Sequence, residues 1–332
     1  MDQYRRRPGA LGRFVAATWA GLTVAGQGCA AVAFAIGGGL PLKAMTWAPR
    51  GADPVAIFAT QPTECLTVPA EPARAVSVEI GRAAFRTPLL LGGQAARAGL
   101  SCESCHRQGR GNPDFQFPGA SGEPGTADVT LSLFSSHRGN GVHDPKPIPD
   151  LSGPRARLKV AAPDLPVFIR GLIVEEFDGH EPPPAVLNGL ADYVLGLSPG
   201  ACPPQPRQAL DPQGLMQDAS RALAAADASL AAADPLTAAV MVAAARARLG
   251  VIDERYAGLP AARSRLRAAD ARLGALQAQI RAGDPDTRAD LRKWLRAAPR
   301  LTAILNARQD RSLFNPQRLS RAARDSLPRR PS

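Results

Sequence analysis

The sequence predicts an all-α protein in which a loop-rich helical segment is followed by an antiparallel helical bundle. Three Asp-Pro pairs each precede an alanine-rich run, and Asp at the N-cap with Pro at the first helical position commonly begins a helix. In the longest run, apolar side chains recur every seven residues. The members of this heptad seam are Leu259, Leu266, Leu273 and Ile280, with Ala262, Ala269 and Leu276 three positions further on. Small seam residues predict three to five closely packed helices.

The bundle is expected to occupy residues 211–310. Its helices would begin at Asp211-Pro212, Asp234-Pro235 and Asp284-Pro285, and Gly250 and Gly283 would each end a helix. A Pro-rich linker over 203–210 precedes the bundle. A basic tail over 311–332 follows it and is expected to be flexible.

The charge of the chain is distributed in three blocks. The 332 residues have a net charge of +11, which taken alone would indicate binding to nucleic acid or to an anionic membrane. Residues 1–50 have a net charge of +5, residues 51–202 of −4, and residues 203–332 of +10. Almost no aromatic residues interleave the basic ones, so nucleic acid is not an expected partner. The basic side chains of the helical domain are expected to form either a solvated face or a surface that binds an anionic membrane or an acidic redox protein.

Residues 1–50 have the organisation of an export signal. Basic side chains between Arg5 and Arg13 precede an apolar run from Phe14 to Ile36, and small residues near its end fit a cleavage site. The run is also long enough to remain as a single membrane anchor. The sequence therefore predicts export to the bacterial periplasm, with the protein either soluble after signal cleavage or held by an uncleaved N-terminal anchor.

The motif that indicates chemistry is Cys102-Glu103-Ser104-Cys105-His106. Two thiols at this spacing add to the two vinyl groups of one porphyrin, and the next imidazole becomes an axial ligand of the iron. A zinc site would need a second pair of Cys or His at ligand spacing, and a thioredoxin-like site would need a βαβ context. We therefore predict one covalently attached haem c, with Cys102 and Cys105 as thioether anchors and His106 as the proximal ligand.

The remaining cysteines predict a disulfide. Cys29 belongs to the leader, and two cysteines are assigned to haem, so Cys65 and Cys202 remain, one on each side of the haem segment. In an oxidising compartment a disulfide between them would persist and would join the two ends of that segment. The alternative is two unrelated thiols.

Residues 60–202 are expected to form a small all-α, cytochrome c-like domain. A first helix is predicted over Glu79–Phe85, and a further helix over Pro166–Glu176. The intervening residues 107–154 contain 8 Gly and 7 Pro, and a loop of this length is expected to wrap a cofactor. A last amphipathic helix beginning at Pro182–Pro184 is expected to cross the first.

This region resembles a known family. Residues 79–89, a glycine-rich turn and then Leu100-Ser101 before the haem motif are similar to the opening of bacterial dihaem cytochrome c peroxidases, and residues 148–151 are similar to a further short element of that family. The resemblance implies a haem domain and peroxide chemistry that uses one haem for peroxide and another to supply electrons. The chain departs from the family at Thr87, where an Asp is usual, and it has a single CxxCH. It can therefore hold only one covalently attached haem.

The distal ligand of the iron has several candidates. Every Met lies outside the haem segment, so the usual Met ligand is not expected. His137, which follows an apolar stretch, is the first candidate, ahead of His180 and His143. An open or water-bound iron is the remaining alternative.

The distal position decides the class of function. Ligation by two histidines leaves no vacancy, so we expect a monohaem electron carrier that serves redox partner proteins. The first alternative is a one-haem relative of the peroxidases that acts on hydrogen peroxide, with Glu123, Glu175 and Glu176 as candidate distal acids or bases. The second is a haem-bearing adaptor that docks through its basic helical tail.

Overall fold

Helices form most of the part of the chain that the structure describes. The computed structural model describes residues 40–154 and 158–325, so the predicted export signal lies largely outside it. The helices are α1 (Pro54–Phe58), α2 (Pro72–Phe85), α3 (Gly93–Ala98), α4 (Cys102–Cys105), α5 (Leu165–Gly171), α6 (Pro184–Gly196), α7 (Pro212–Ala231), α8 (Pro235–Arg255), α9 (Pro260–Ala282), α10 (Thr287–Asn306) and α11 (Pro316–Asp325). The predicted all-α class is confirmed.

Two short antiparallel strand pairs accompany the helices. Strand β1 (Thr60–Pro62) pairs with β4 (Arg207–Ala209), and β2 (Thr126–Ala127) pairs with β3 (Lys146–Pro147). The β4 strand lies in the segment predicted as a Pro-rich linker. That segment is therefore attached to residues preceding the haem motif, at the β1 strand.

Helices α2 and α6 cross with their backbones in close contact. A Cβ added to Gly81 of α2 would lie 1.8 Å from the carbonyl oxygen of Gly189 in α6, so only glycine fits there. One turn further on, the rings of Phe85 and Tyr193 lie 5.1 Å apart between centroids. The predicted crossing of the first and last helices of this segment is therefore present. Helix α2 is longer than predicted, because Glu71 caps it from Ala73 onward.

A disulfide joins the two ends of this segment. Cys65 and Cys202 are bonded, which confirms the predicted pairing. Next to the bond, Leu66 and Leu197 form an isolated antiparallel bridge, and Ser198 donates its backbone N–H to the carbonyl of Cys65. The cross-link and the β1–β4 pair hold the entering and leaving chain together beside α6.

Helices α7 to α10 form an antiparallel four-helix bundle. Each helix packs on the next, and α10 returns to pack on α7. Two hydrogen bonds give the direction of that closing contact: Arg292 near the start of α10 reaches Asp227 near the end of α7, and Asn306 at the end of α10 reaches Gln213 at the start of α7. The predicted bundle is confirmed, and its seam in α9 is buried at Leu266, Leu273 and Ile280.

Of the five helix boundaries predicted from the Asp-Pro pairs and the two glycines, three are present and two differ. Gly283 ends α9 as predicted, in the left-handed conformation. Asp211 and Asp234 cap α7 and α8 by accepting from Gly214 N and Thr237 N. The prediction that Gly250 ends a helix was wrong, because α8 continues to Arg255. Burial of Ile252 and Arg255 outweighs the cost of about 1 kcal/mol for a glycine within a helix. Helix α10 begins at Thr287, two residues later than Asp284-Pro285 predicts.

Helix α8 is the central helix of the C-terminal region. By length and composition it is also the one described helix that could cross a membrane, with a mean hydropathy of 1.4. It packs on α7 and α9, however, and its Arg246 forms an ion pair with Asp270 of α9. These contacts explain its apolar composition as that of a bundle core helix.

The bundle and the preceding segment share an extensive interface. Helix α2 packs on both α7 and α8, and the described residues belong to one compact unit. The tail, expected to be flexible from residue 311, instead contains α11, whose Leu319 is fully buried against Leu42, Ile57 and Phe58. Apolar residues between positions 42 and 58 therefore provide a site for this last helix.

The α2–α6 crossing should tolerate no side chain at Gly81. We expect Gly81→Ala to lower the free energy of unfolding by about 2–3 kcal/mol or more, because the methyl group forces two helix backbones apart. Gly250→Ala is the matched control, since nothing lies within 4 Å of its Cβ position, and it should stabilise the protein by about 0.5–1 kcal/mol. Denaturant unfolding measures both, and equal effects would contradict the close approach.

Candidate functional site

The haem motif forms the single-turn helix α4. Ser101 is its N-cap, and a capping box joins the two serines, with Ser104 Oγ accepting from Ser101 N at 3.1 Å. In a helix, residues at i and i+3 share a face, so Cys102 and Cys105 lie on the same side of α4, and His106 follows as its C-cap. Both thiols are free and half-buried. The motif therefore presents two sulfurs and one imidazole together.

The hydrogen bond of His106 fixes its tautomer. Its Nδ1 lies 3.0 Å from the carbonyl oxygen of Pro149. Because a carbonyl oxygen can only accept, Nδ1 carries the proton of the neutral imidazole, and the lone pair is on Nε2. No described residue forms a hydrogen bond with Nε2. A second-shell carbonyl of this kind is the usual way in which a protein orients an imidazole that ligates a metal.

The loop that supplies this carbonyl is held in place by its neighbours. Asp150 accepts from Arg110 Nε at 2.7 Å and from the hydroxyl and backbone N–H of Ser152. Leu151 donates its backbone N–H to Gly109 O, directly after the haem motif. Residues 148–151, which the sequence resemblance had singled out, thus supply the partner of His106.

A tight turn returns the chain after His106. Gln108 and Gly109 have positive φ values of 53° and 70°, and a Cβ on Gly109 would lie 2.4 Å from Leu197 Cδ1. Buried Asn112 then donates from Nδ2 to the carbonyl of Ser104 at 2.8 Å, which satisfies an otherwise unpaired carbonyl at the end of α4. The motif is therefore supported from both of its ends.

Burial keeps the side chains of Cys102, Cys105 and His106 neutral. Burial raises the pKa of the Cys102 and Cys105 thiols to about 12. Burial lowers the pKa of His106 to about 4, against the opposing effects of the Pro149 hydrogen bond and the Asp150 charge. The ring of Phe85 lies 6.3 Å from that of His106. A neutral imidazole with a free Nε2 and two neutral thiols in apolar surroundings fit a covalently attached haem.

The three other histidines are exposed to solvent. The side chain of His137 is 62% exposed, and its Nε2 lies 3.9 Å from Asp178. His143 and His180 are likewise exposed. No described contact joins any of the three to His106, so the distal position remains a prediction.

The candidate distal acids differ from one another. Glu123 is exposed, and Glu175 is partly exposed and pairs with Arg138. Glu176 is buried; its Oε1 lies 3.2 Å from Arg138 Nη1, and its Oε2 has no hydrogen-bond partner. Burial raises the pKa of Glu176. Of the three, Glu176 has the environment of a proton donor.

A buried arginine, Arg86, connects the haem motif to the rest of the molecule. It is only 3% exposed and contacts three carboxylates: Asp218 at 2.9 Å, Glu64 at 2.8 Å, and Glu103 within the haem motif at 3.4 Å. A fourth partner, Gln108 Oε1, accepts at 2.6 Å. Burial opposes the charge of Arg86, but the three carboxylates raise its pKa well above its ordinary value, so the guanidinium stays charged.

Further residues complete this cluster. Glu64 also pairs with Arg82 and accepts from Tyr193 Oη at 2.8 Å. From α8, Arg248 donates to the backbone carbonyl of Arg86 at 2.6 Å. We call this set the Arg86 cluster: Glu64, Arg82, Arg86, Glu103, Asp218 and Arg248, with three positive and three negative side chains.

A cavity of about 590 Å³ lies on the reverse side of α4. Ser101, Glu103, Ser104 and Arg107 line it from the haem motif, and Asp218 and Arg248 line it from the bundle. Cys102, Cys105 and His106 do not line this cavity. The side of α4 that faces the bundle is therefore formed by other residues of the motif.

Sequence reasoning identified the motif but not its supports. Pro149 was signalled only through the family resemblance. Arg86, Asp218 and Arg248 carried no signal, because charged residues in helices are ordinarily solvated and their partners lie far away in the chain. Glu103 differs from these residues because it lies between Cys102 and Cys105 in the sequence. That position was the one indication that its contacts could affect the site.

Comparison of the chain with protein families, curated proteins and solved structures found no match. The function is therefore inferred from the residues of the site.

Removal of the Arg86 side chain should lower the free energy of unfolding far more than removal of an exposed arginine with a similar number of ion pairs. We expect Arg86→Leu to lower the free energy of unfolding by about 3–5 kcal/mol, because it leaves Glu103 without an ion pair and removes one of the two ion pairs of Glu64 and of Asp218. Arg138→Leu also removes pairs with two carboxylates, but its side chain is 52% exposed, so a loss within about 1 kcal/mol is expected. Urea unfolding measures both, and similar losses would contradict the interpretation.

Proposed function

We propose that the chain is an exported monohaem c-type cytochrome that transfers electrons through one covalently bound haem. The observation that carries this proposal is the His106 Nδ1–Pro149 O hydrogen bond of 3.0 Å, which leaves Nε2 free beside two free thiols. Cys102 and Cys105 would anchor the porphyrin, and His106 would be the proximal ligand. When bound, the haem supplies a one-electron Fe(III)/Fe(II) couple.

The protein would contribute orientation and charge around the cofactor. The Pro149 carbonyl keeps the proton on Nδ1 and raises the basicity of Nε2 toward iron. The disulfide and the α2–α6 crossing hold α4 in a rigid frame, which limits movement between the two oxidation states. Covalent haem attachment and the disulfide are both typical of an oxidising compartment outside the cytoplasm, which supports periplasmic localisation.

A one-haem peroxidase is the second candidate. Glu176 favours it, because a buried carboxyl group with a raised pKa and one unpaired oxygen is suited to hold a proton that peroxide cleavage requires. This reading requires an open distal position on the iron.

The basic face of the bundle favours an acidic redox partner or an anionic membrane surface. Arg263, Arg288 and Arg292 pair within the bundle. Six basic side chains of α9 and α10 are exposed without a described ion pair: Arg265, Arg272, Arg281, Lys293, Arg296 and Arg300. They would attract a partner of opposite charge and raise the rate of encounter. The adaptor alternative depends on this same face.

Absorption spectra separate the electron carrier from the peroxidase. We expect covalent haem in the protein produced with a cytochrome c maturation system, and a low-spin ferric spectrum that hydrogen peroxide leaves unchanged. A Cys102→Ser, Cys105→Ser double variant should lose covalent haem, whereas Cys65→Ser, Cys202→Ser should keep it. A high-spin ferric spectrum with peroxide turnover would favour the peroxidase, and a protein without covalent haem would exclude both functions.

The predicted distal ligand can be tested in the same way. If His137 ligates the iron, His137→Ala converts the low-spin ferric spectrum to a high-spin one, because the iron loses a strong-field ligand. His143→Ala and His180→Ala are matched controls, since both side chains are equally exposed, and each should leave the spectrum unchanged. A change in either control instead would transfer the assignment to that histidine.

A further inference from the structure

The Arg86 cluster spans two regions that the sequence treats as separate. Glu103 lies between the two haem cysteines, whereas Asp218 and Arg248 belong to α7 and α8 of the bundle. Their side chains meet through Arg86, which contacts Glu103 at 3.4 Å and Asp218 at 2.9 Å. A residue of the bundle is thus two ion-pair contacts away from the haem motif.

The charges of this cluster are largely withdrawn from water. The side chains of Arg86, Asp218 and Glu103 are 3%, 13% and 16% exposed. Arg248 is held through its bond to the Arg86 carbonyl, and its Nε is buried without a partner. Electrostatic interactions inside a protein are less screened than in water, so charges placed here act on a nearby redox centre over a longer range.

We infer that Asp218 and Arg248 of the bundle are positioning residues that set the charge around Glu103 and thereby the reduction potential of the haem. This inference rests on the proposed function. The bundle would then be part of the haem environment. The negative charge of Asp218 stabilises the ferric state and lowers the potential, whereas the positive charge of Arg248 raises it.

The inference predicts opposite effects for two neutralising substitutions. In the full-length haem protein, Asp218→Asn should favour reduction by about threefold to tenfold in the equilibrium constant with a fixed redox dye. Arg248→Gln should disfavour reduction by a similar factor. For one electron, these factors correspond to shifts of about 30–60 mV, upward and downward. Loosened packing alone would expose the haem in both variants and would move both potentials in the same direction.

Each variant has a matched control on the same helix. Asp218 pairs with Arg86 and Arg221, and Asp227 in the same helix likewise pairs with two arginines, Arg288 and Arg292. Arg246 in α8 pairs with Asp270. Asp227→Asn and Arg246→Gln should leave the potential unchanged, even where they lower the thermal midpoint.

Unchanged potentials in Asp218→Asn and Arg248→Gln, or shifts of the same sign, would overturn the inference. Shifts in the two controls equal to those in the test variants would also overturn it. If Asp218→Asn does not fold, Arg248→Gln alone tests the inference: a lowered reduction potential supports it, and an unchanged or raised one overturns it. Wild-type protein without covalent haem would overturn the proposed function and this inference together, whereas haem protein with insensitive potentials overturns the inference alone.

Discussion

The buried Arg86 guanidinium is the interaction on which the arrangement of the molecule most depends. It joins carboxylates from the chain before α2, from the haem motif and from the bundle, which are three parts of the sequence with no local reason to meet. A buried ion network is not in itself a strong source of stability, because desolvation offsets much of the Coulomb attraction. Its consequence is specificity: any other docking of α2 on α7 and α8 would leave charges buried without partners.

The residues around α4 are likewise held by specific hydrogen bonds and ion pairs. The Ser104 carbonyl accepts from Asn112, Nδ1 of His106 donates to the Pro149 carbonyl, and the Asp150 carboxylate accepts from Arg110 and Ser152. Among the described residues, none donates to Nε2 of His106, and the Cys102 and Cys105 thiols are free. These are the three atoms to which the proposed function assigns the haem.

The two halves of the chain use different means to bring helices together. At the crossing of α2 and α6, Gly81 and Gly189 allow backbone contact, and a disulfide and a short strand pair hold the ends. In the bundle, a heptad seam of leucine and alanine provides the packing, and ion pairs such as Arg246–Asp270 lie at its edges. The first arrangement is suited to enclosing a cofactor within few residues, and the second to a self-sufficient core.

The sequence by itself determined the features that depend on the spacing of nearby residues or on the number of cysteines. The Asp caps of α7 and α8, the seam of α9, the CxxCH spacing and the pairing of the two remaining cysteines all follow from near neighbours or from composition. The end of α8 did not follow, because burial of Ile252 and Arg255 overrides the helix-breaking tendency of Gly250.

Only the tertiary structure decided which distant groups meet. Arg86 lies 132 residues from Asp218 and 162 residues from Arg248 in the sequence, and Pro149 lies 43 residues from His106. A charged residue or a carbonyl gives no indication of such a partner, because its pairing depends on where the helices cross rather than on the residues beside it.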